Sequence, residues 1–179
     1  MTDTAIRPSR DDDMGILTRI YRHHVLHGTA SFETEAPDLA EMARRRAELV
    51  GRGMPHLVLE RDGAIRGYAY AGPYRPRAAY RDTVENSVYL APDAIGLGFG
   101  RLLLEALIAA CTELGLRQMV AVVGDSDNLP SIALHERLGF RRVGTLTGVG
   151  FKHGRWLDTV LLQRSLGPGD TIQPIARAE

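Results

Sequence analysis

Glycine occupies every second position from Gly96 through Gly98 to Gly100. From Arg101 the chain takes on helical spacing, with Leu103, Leu107, Cys111 and Leu114 on one stripe. Glycines ahead of a helix leave main-chain N–H groups bare, and the positive end of the helix dipole points at the same spot. That combination suits a phosphate or pyrophosphate. The other reading is a plain strand-to-helix connection with glycines for close packing. Two common phosphate loops are not met: Leu103 stands where Gly-x-Gly-x-x-Gly counted from Gly98 would end, and no Gly-x-x-x-x-Gly-Lys-Ser/Thr occurs. A second group lies further on, where Asn128, Ser131 and His135 fall on one face of an expected helix and Leu134 and Leu138 on another, toward the core. Either three polar groups converge there on a ligand, or Asn128 merely caps, Ser131 bonds the main chain and His135 lies on the surface. A third group, Tyr74-Arg-Pro-Arg-Ala-Ala-Tyr80, puts two cations and two aromatics in one loop, suited to an anionic substrate or simply exposed.

Other clusters favour blander readings. His23 and His27 are four apart, a spacing metal ligands also use, but no third ligand or carboxylate motif accompanies them, so no metal is expected. Arg44, Arg45 and Arg46 read as the solvated side of a helix rather than a nucleic-acid contact. Cys111, the single cysteine, reads as a reduced core residue, which fits a cytoplasmic protein. With 22 basic and 22 acidic residues the formal net charge is zero, which argues against a broad electrostatic grip on nucleic acid or membrane. No apolar run reaches the roughly 18 residues a membrane span needs, and the acidic N-terminal stretch does not resemble a signal peptide.

The elements that must position these groups follow in order. Ala5 to Arg7 is a short strand, and Asp11 to Asp13 start a helix that ends near Gly28. After a polar loop containing Phe32, Pro37 and Asp38 open a second helix, with Leu39, Met42, Ala43, Leu49 and Val50 inward. A hairpin turns at Asp62-Gly63, between His56–Glu60 and Ile65–Ala71. Val84 to Leu90 is the strand before the glycine turn. Gln118 to Val123 is a continuous apolar run, read as a strand buried on both faces. The helix of Asn128 ends at Gly139, and Phe140–Thr147 and Trp156–Gln163 are final strands joined by Gly148–Arg155. The order predicts an α/β or α+β fold with a mixed sheet flanked by helices. The 179 residues fit one domain over 1–166 and a surface tail over 167–179.

With these motifs in place, the chain resembles the GNAT superfamily of N-acetyltransferases over nearly all of residues 4 to 164. The glycine turn is similar to its Gln/Arg-x-x-Gly-x-Gly/Ala motif, with Gly98 and Gly100 as the glycines and Ile95 where a polar residue is usual. Asn128, Ser131, His135, Gly139 and Phe140 match a second motif, Asn-x-x-Ser-x-x-x-Tyr/His-x-x-x-Gly-Phe. Five further segments are similar to the phosphinothricin and methionine sulfoximine/sulfone acetyltransferases: Ala69-Tyr-Ala-Gly-Pro-Tyr74, Ala79-Tyr80, Thr83-Val-Glu-x-Ser-Val-Tyr89, Leu134-His-Glu-x-Leu-Gly-Phe140 and Gly150-Phe-Lys-His-Gly-x-Trp156.

The resemblance implies a splayed central sheet and acetyl-coenzyme A as cosubstrate. It implies transfer of acetyl to the α-amine of a small amino acid or analogue, without a covalent enzyme intermediate. Glu85 would take the amine's proton, and a main-chain N–H among Val88, Tyr89 and Leu90 would stabilise the thioester oxygen. His135 would serve the leaving thiolate. Gly96, Gly98, Phe99, Gly100 and Arg101 would hold the pyrophosphate, and Asn128 and Ser131 the pantetheine arm. Arg75, Arg77 and Tyr80 would bind the acceptor's acidic groups and Phe32 would wall its pocket. Lys152 and His153 would reach the site of a neighbouring subunit, since relatives of this kind are often homodimers. The same fold with another small amine or a protein N-terminus as acceptor, or a non-catalytic acetyl-coenzyme A-binding module, are the alternatives.

Overall fold

A computed structural model describes residues 3–174. One seven-stranded sheet runs through it in the order β1-β2-β3-β4-β5-β7-β6. The strands are β1 (Thr4–Pro8), β2 (His56–Arg61), β3 (Ala64–Pro73), β4 (Thr83–Leu90), β5 (Gln118–Gly124), β6 (Arg141–Lys152) and β7 (Arg155–Ser165). The helices are α1 (Met14–His27), α2 (Leu39–Gly51), α3 (Phe99–Glu113) and α4 (Leu129–Arg137). Every neighbouring pair of strands is antiparallel except β4 and β5. This is the expected mixed α/β architecture.

Each face of the sheet has its own core. On one, Leu17, Tyr21 and Val25 of α1 and Met42 of α2 pack against Val58, Tyr68 and Tyr89. On the other, Leu103, Leu107 and Cys111 of α3 pack against Val84, Ala69 and Met119. The alternation of β4 divides its side chains accordingly, with Val84 in one core and Tyr89 in the other.

Four details depart from the sequence reading. The inward stripe of α2 is set by Met42, Arg45, Arg46 and Leu49, at i, i+3, i+4 and i+7. Leu39 and Val50 fall outside it and are 52% and 45% exposed. Arg45 and Arg46 are therefore not a solvated face. Arg45 pairs with Glu33 at 2.6 Å, and Arg46 donates to Ser9 Oγ at 2.6 Å and pairs with Asp11 at 2.6 Å. Leu114, at the end of α3, is exposed. The expected connection from Gly148 to Arg155 is mostly strand, because β6 runs on to Lys152 after a register shift between Leu146 and Gly150. Only His153 and Gly154 turn, both with positive φ, 51° and 75°, as a tight right-twisted hairpin requires. Of the expected tail, Gly169 and Gln173 lend carbonyls to the Arg117 guanidinium, while residues 175–179 lie outside the described residues.

The entry to α1 is fixed by charge. Arg7 on β1 donates two hydrogen bonds to Asp13, at 2.8 and 2.9 Å, and the Arg10 N–H adds a third at 2.6 Å. The Arg7 guanidinium holds the Asp13 carboxyl below the usual carboxylate range, against the opposing effect of burial. This contribution is full above the unfolded pKa of about 3.9 and is lost as pH falls through the lower folded value. Asp13→Asn should cost about 1.5–3 kcal/mol near neutrality. The gap between the two proteins in urea unfolding should close in acid; a gap unchanged below pH ~3 would refute the assignment.

Candidate active site

The parallel pair β4–β5 is bonded only from Thr83↔Gln118 to Asn86↔Ala121. Past that rung the strands part, and a cleft of about 680 Å³ opens between Ser87–Leu90 on one side and Val122–Gly124 on the other. Its lining includes Gly96, Gly98, Ser131 and His135 from one face of the sheet and His24, Gly28 and Thr29 from the other. The parting is thus a passage through the sheet. Backbone direction along β4 follows from its flanks: Ala91 N–H bonds Arg66 O, and Tyr74 N–H bonds Thr83 O. Odd-numbered residues therefore turn their peptide groups to β3, and even-numbered Val88 and Leu90 turn theirs to the parted side. Leu90 O is taken there by His24 Nε2–H at 2.8 Å. Tyr89, expected among the amide donors, spends its backbone on β3, and its ring is buried against Tyr21.

The glycine turn opens on this cleft. Gly96 and Gly98 both have φ of +83°, a left-handed conformation that favours glycine, and a Cβ at either would meet nothing within 4 Å. The first main-chain bond of α3 is from Arg101 N–H to Gly98 O. The preceding amides of Phe99 and Gly100 lie ahead of that ladder, at the positive end of a helix with no side-chain cap. Bare amides beside open space fit a diphosphate. Phe99 contributes only its amide, because its ring is buried in the core. Arg101 lines the cleft but pairs with Glu105 at 2.8 Å, and Ile95 is 58% exposed. Arg137, at the end of α4, is a second guanidinium in the lining that the sequence reading did not single out.

On α4, Asn128 caps the helix by accepting the Ser131 N–H. His135 is not on the surface: it is 4% exposed, edge-on to Phe140. Its Nε2 faces Asn86 Oδ1 at 3.0 Å, and its Nδ1 faces Ser131 O at 2.8 Å. Burial pushes its pKa down, opposed by the bond to Ser131. With a protein acceptor at each nitrogen, the imidazole aims no free N–H into the cleft.

Glu85 and His135 do not meet across one cavity. Asn86 faces His135, so its neighbour Glu85 points to the opposite face of the sheet, the one covered by α1 and α2. Glu85 is half-buried beside the last bonded rungs. Burial pushes its pKa up, and the charge of Arg75 acts the other way. The two groups are related only through the passage that begins next to them.

The expected acceptor-binding residues are distributed unevenly. Arg75 stacks on Tyr74 at 5.0 Å and is near enough to act on Glu85. Tyr80 sits edge-on to Tyr74 at 5.8 Å, while Arg77 is exposed. Phe32 lies over Gly124 and Gly150 beside the cleft. Lys152 is 4% exposed and donates to Ser31 O of its own chain at 2.6 Å. His153 Nε2 lies 3.3 Å from Gly28 O, also in its own chain. Among the described residues no group of three or more His, Cys, Asp or Glu side chains is placed to hold a metal, and no helix is long and apolar enough to cross a membrane.

The profile of the acetyltransferase (GNAT) family matches residues 17–140. The chain belongs to the GNAT family of acetyltransferases. It is 57% identical over 169 residues to the phosphinothricin N-acetyltransferase of Alcaligenes faecalis, covering 94% of this chain and 86% of that protein. It is 39% identical over 165 residues to the L-methionine sulfoximine/L-methionine sulfone acetyltransferase of Pseudomonas aeruginosa, covering 92% and 95%. Its fold matches the crystal structure of a phosphinothricin acetyltransferase from Sinorhizobium meliloti in complex with acetyl-coenzyme A. The TM-score is 0.93, with 46% identity over 96% of this chain and 92% of that one. The family's acetyl donor is acetyl-coenzyme A.

Two further features of this acetyltransferase escaped the sequence reading. Asn86 shares the inward face of β4 with Val84, and a buried amide among apolar neighbours was a legible sign of an obligatory partner. Gly124 and Gly150 form a seat for Phe32, which nothing local in the sequence announces. A Cβ at Gly150 would overlap only the Phe32 ring, which can swing away. A Cβ at Gly124 would overlap Thr29 O, a main-chain atom, and also come within 2.8 Å of Phe32. Gly124→Ala should therefore cost about 1–3 kcal/mol, and Gly150→Ala less. Adding Phe32→Ala should rescue Gly150→Ala but not Gly124→Ala; equal rescue in thermal unfolding would refute this packing.

Proposed function

We propose that this acetyltransferase moves acetyl from coenzyme A to the α-amine of a small amino acid or analogue of the phosphinothricin or methionine sulfoximine/sulfone type, within a single domain spanning 1–166. The observation that carries the reading is the passage between β4 and β5, which leads from bare amides at the start of α3 to the neighbourhood of a half-buried carboxylate facing an arginine. The names of the most similar relatives supply the acceptor class.

Acetyl-coenzyme A brings a thioester-activated acetyl group. The amides of Gly98, Phe99 and Gly100 hold its diphosphate, with Gly96 leaving room and Arg101 at the edge. Asn128 and Ser131 border the pantetheine arm. Past Asn86 the even-numbered amides of β4 lack a β5 partner, so Val88 N–H is the donor for the thioester oxygen as negative charge develops. An amino acid's ammonium must shed a proton before it attacks. Glu85 accepts it, directly or through water, and its burial makes it a stronger base than an exposed glutamate. Arg75, Arg77 and Tyr80 receive the acceptor's acidic groups, and Phe32 walls the mouth. His135 acts by holding α4 in place rather than as a free acid.

A thiol-release assay with acetyl-coenzyme A should register turnover with at least one of phosphinothricin, methionine sulfoximine and methionine sulfone. Silence across all three removes this acceptor class and leaves another amine. Glu85→Gln should lower kcat by about 10²-fold or more while coenzyme binding persists. In the wild type kcat/KM should rise as pH climbs through the elevated Glu85 pKa, and that limb should vanish in the variant.

The proposal extends to a cytoplasmic homodimer. On the edge hairpin β6–β7, Phe151 and Trp156 are 58% and 67% exposed, with Val149 at 54% beside them. The two rings meet edge to face at 5.2 Å. An exposed apolar patch on an edge hairpin is suited to pairing with its own copy. Sedimentation should give twice the chain mass for the wild type and the chain mass for Trp156→Glu; a monomeric wild type overturns the dimer.

A further inference from the structure

Asn86 occupies the last bonded rung before β4 and β5 part, opposite Ala121. It is 6% exposed, and its amide makes two bonds in different directions. Nδ2–H donates to Val120 O on β5 at 3.2 Å, and Oδ1 faces His135 Nε2 on α4 at 3.0 Å. Three elements that border the cleft are thus joined by one side chain.

The chemistry of these partners fixes more than distance. Val120 O can only accept, so the Asn86 amide is held one way round; flipped, it would set two oxygens against each other. The oxygen that remains for His135 is also only an acceptor, so a hydrogen bond there needs hydrogen on Nε2. Ser131 O, facing Nδ1, is an acceptor too, but as the i−4 carbonyl it also serves the main-chain N–H of His135 in the helix ladder. Burial disfavours the doubly protonated ring. A neutral ring serves one of the two acceptors: hydrogen on Nε2 satisfies Asn86 Oδ1 and leaves Nδ1 bare beside Ser131 O, which keeps its main-chain donor, whereas hydrogen on Nδ1 satisfies Ser131 O and leaves Nε2 bare beside Asn86 Oδ1.

We propose that Asn86 is a positioning residue for acetyl transfer: one amide clips β4 to β5 at the apex of the cleft and holds His135 as its Nε2–H tautomer, so that α4, with Asn128 and Ser131, stands at the spacing acetyl-coenzyme A requires. This rests on the reading of the cleft as the acetyl-coenzyme A site. Asn86 lines the cleft from the α4 face of the sheet, opposite to Glu85, so its loss acts on the donor side. Asn86→Ala removes both bonds. Asn86→Asp keeps an acceptor for His135 and loses the donor to Val120, so it separates the two functions.

Nitrogen-15 spectra of histidine-labelled wild-type enzyme above the His135 pKa should show Nε2 protonated and Nδ1 bare. A reversed tautomer overturns the proposal without recourse to any variant. In steady-state kinetics Asn86→Ala should raise KM for acetyl-coenzyme A about tenfold or more, the scale of a lost buried hydrogen-bonding pair, with KM for the acceptor within about twofold. Asn86→Asp should retain the Nε2–H signature while still weakening acetyl-coenzyme A. If Asn86→Ala does not fold, the Asn86→Asp kinetics and the wild-type spectrum decide the matter. Wild-type turnover with KM for acetyl-coenzyme A unmoved in the variants removes this proposal alone. A wild type that transfers acetyl to no amine removes the functional reading and this proposal with it.

Discussion

A parallel strand pair that stops bonding after four rungs leaves main-chain donors and acceptors with no strand to satisfy them. Such groups are costly unless something else bonds them. Here β4 and β5 separate at Asn86 and Ala121, and the space between is lined by peptide edges, a glycine turn and one helix face. His24 takes one of the orphaned carbonyls. The exposed amide of Val88 is left to whatever enters. The remaining architecture supports this interruption: two separate cores keep the sheet rigid on either side, and α3 and α4 present their N-termini along one wall.

The same interruption divides the chemistry. Strand alternation sends Glu85 toward α1 and α2, and Asn86 toward α4. In the proposed reaction, proton removal and donor binding thereby fall on different faces, with the parted strands between them. Charges follow suit. Arg75 faces the carboxylate side, while Arg101 and Arg137 border the other wall. The His135 imidazole, to which the family resemblance gives the leaving thiolate, is held between Asn86 and Ser131 on the α4 side of the sheet.

Much of this was legible in the chain because it is written at short range. The glycines at 96 and 98 and the cap at Asn128 are local conformational demands, and they appear where local pattern placed them. The strands and the mixed sheet followed from hydrophobic period. What failed was longer in range or finer in angle. The stripe of α2 keeps Met42 and Leu49 but takes in Arg45 and Arg46 in place of Leu39 and Val50, because these arginines pack inward by pairing with Glu33, Ser9 and Asp11, residues distant in sequence. The extension of β6 was hidden by Gly148 and Gly150, which read as loop; Gly150 is small because Phe32 lies on it. The facing of Glu85 was available from alternation alone, and the pairing of His135 with Asn86 was not.

The burial of Lys152 bears on self-inflicted chemistry. It is the chain's one lysine, enclosed and bonded to Ser31 O. All other cationic side chains, histidine aside, are guanidinium groups, which stay protonated and make poor nucleophiles. A catalyst that spends its life beside an activated acyl group thus presents no ε-amine for that group to consume, and stray acylation of its own exterior is suppressed by composition rather than by shielding the reagent.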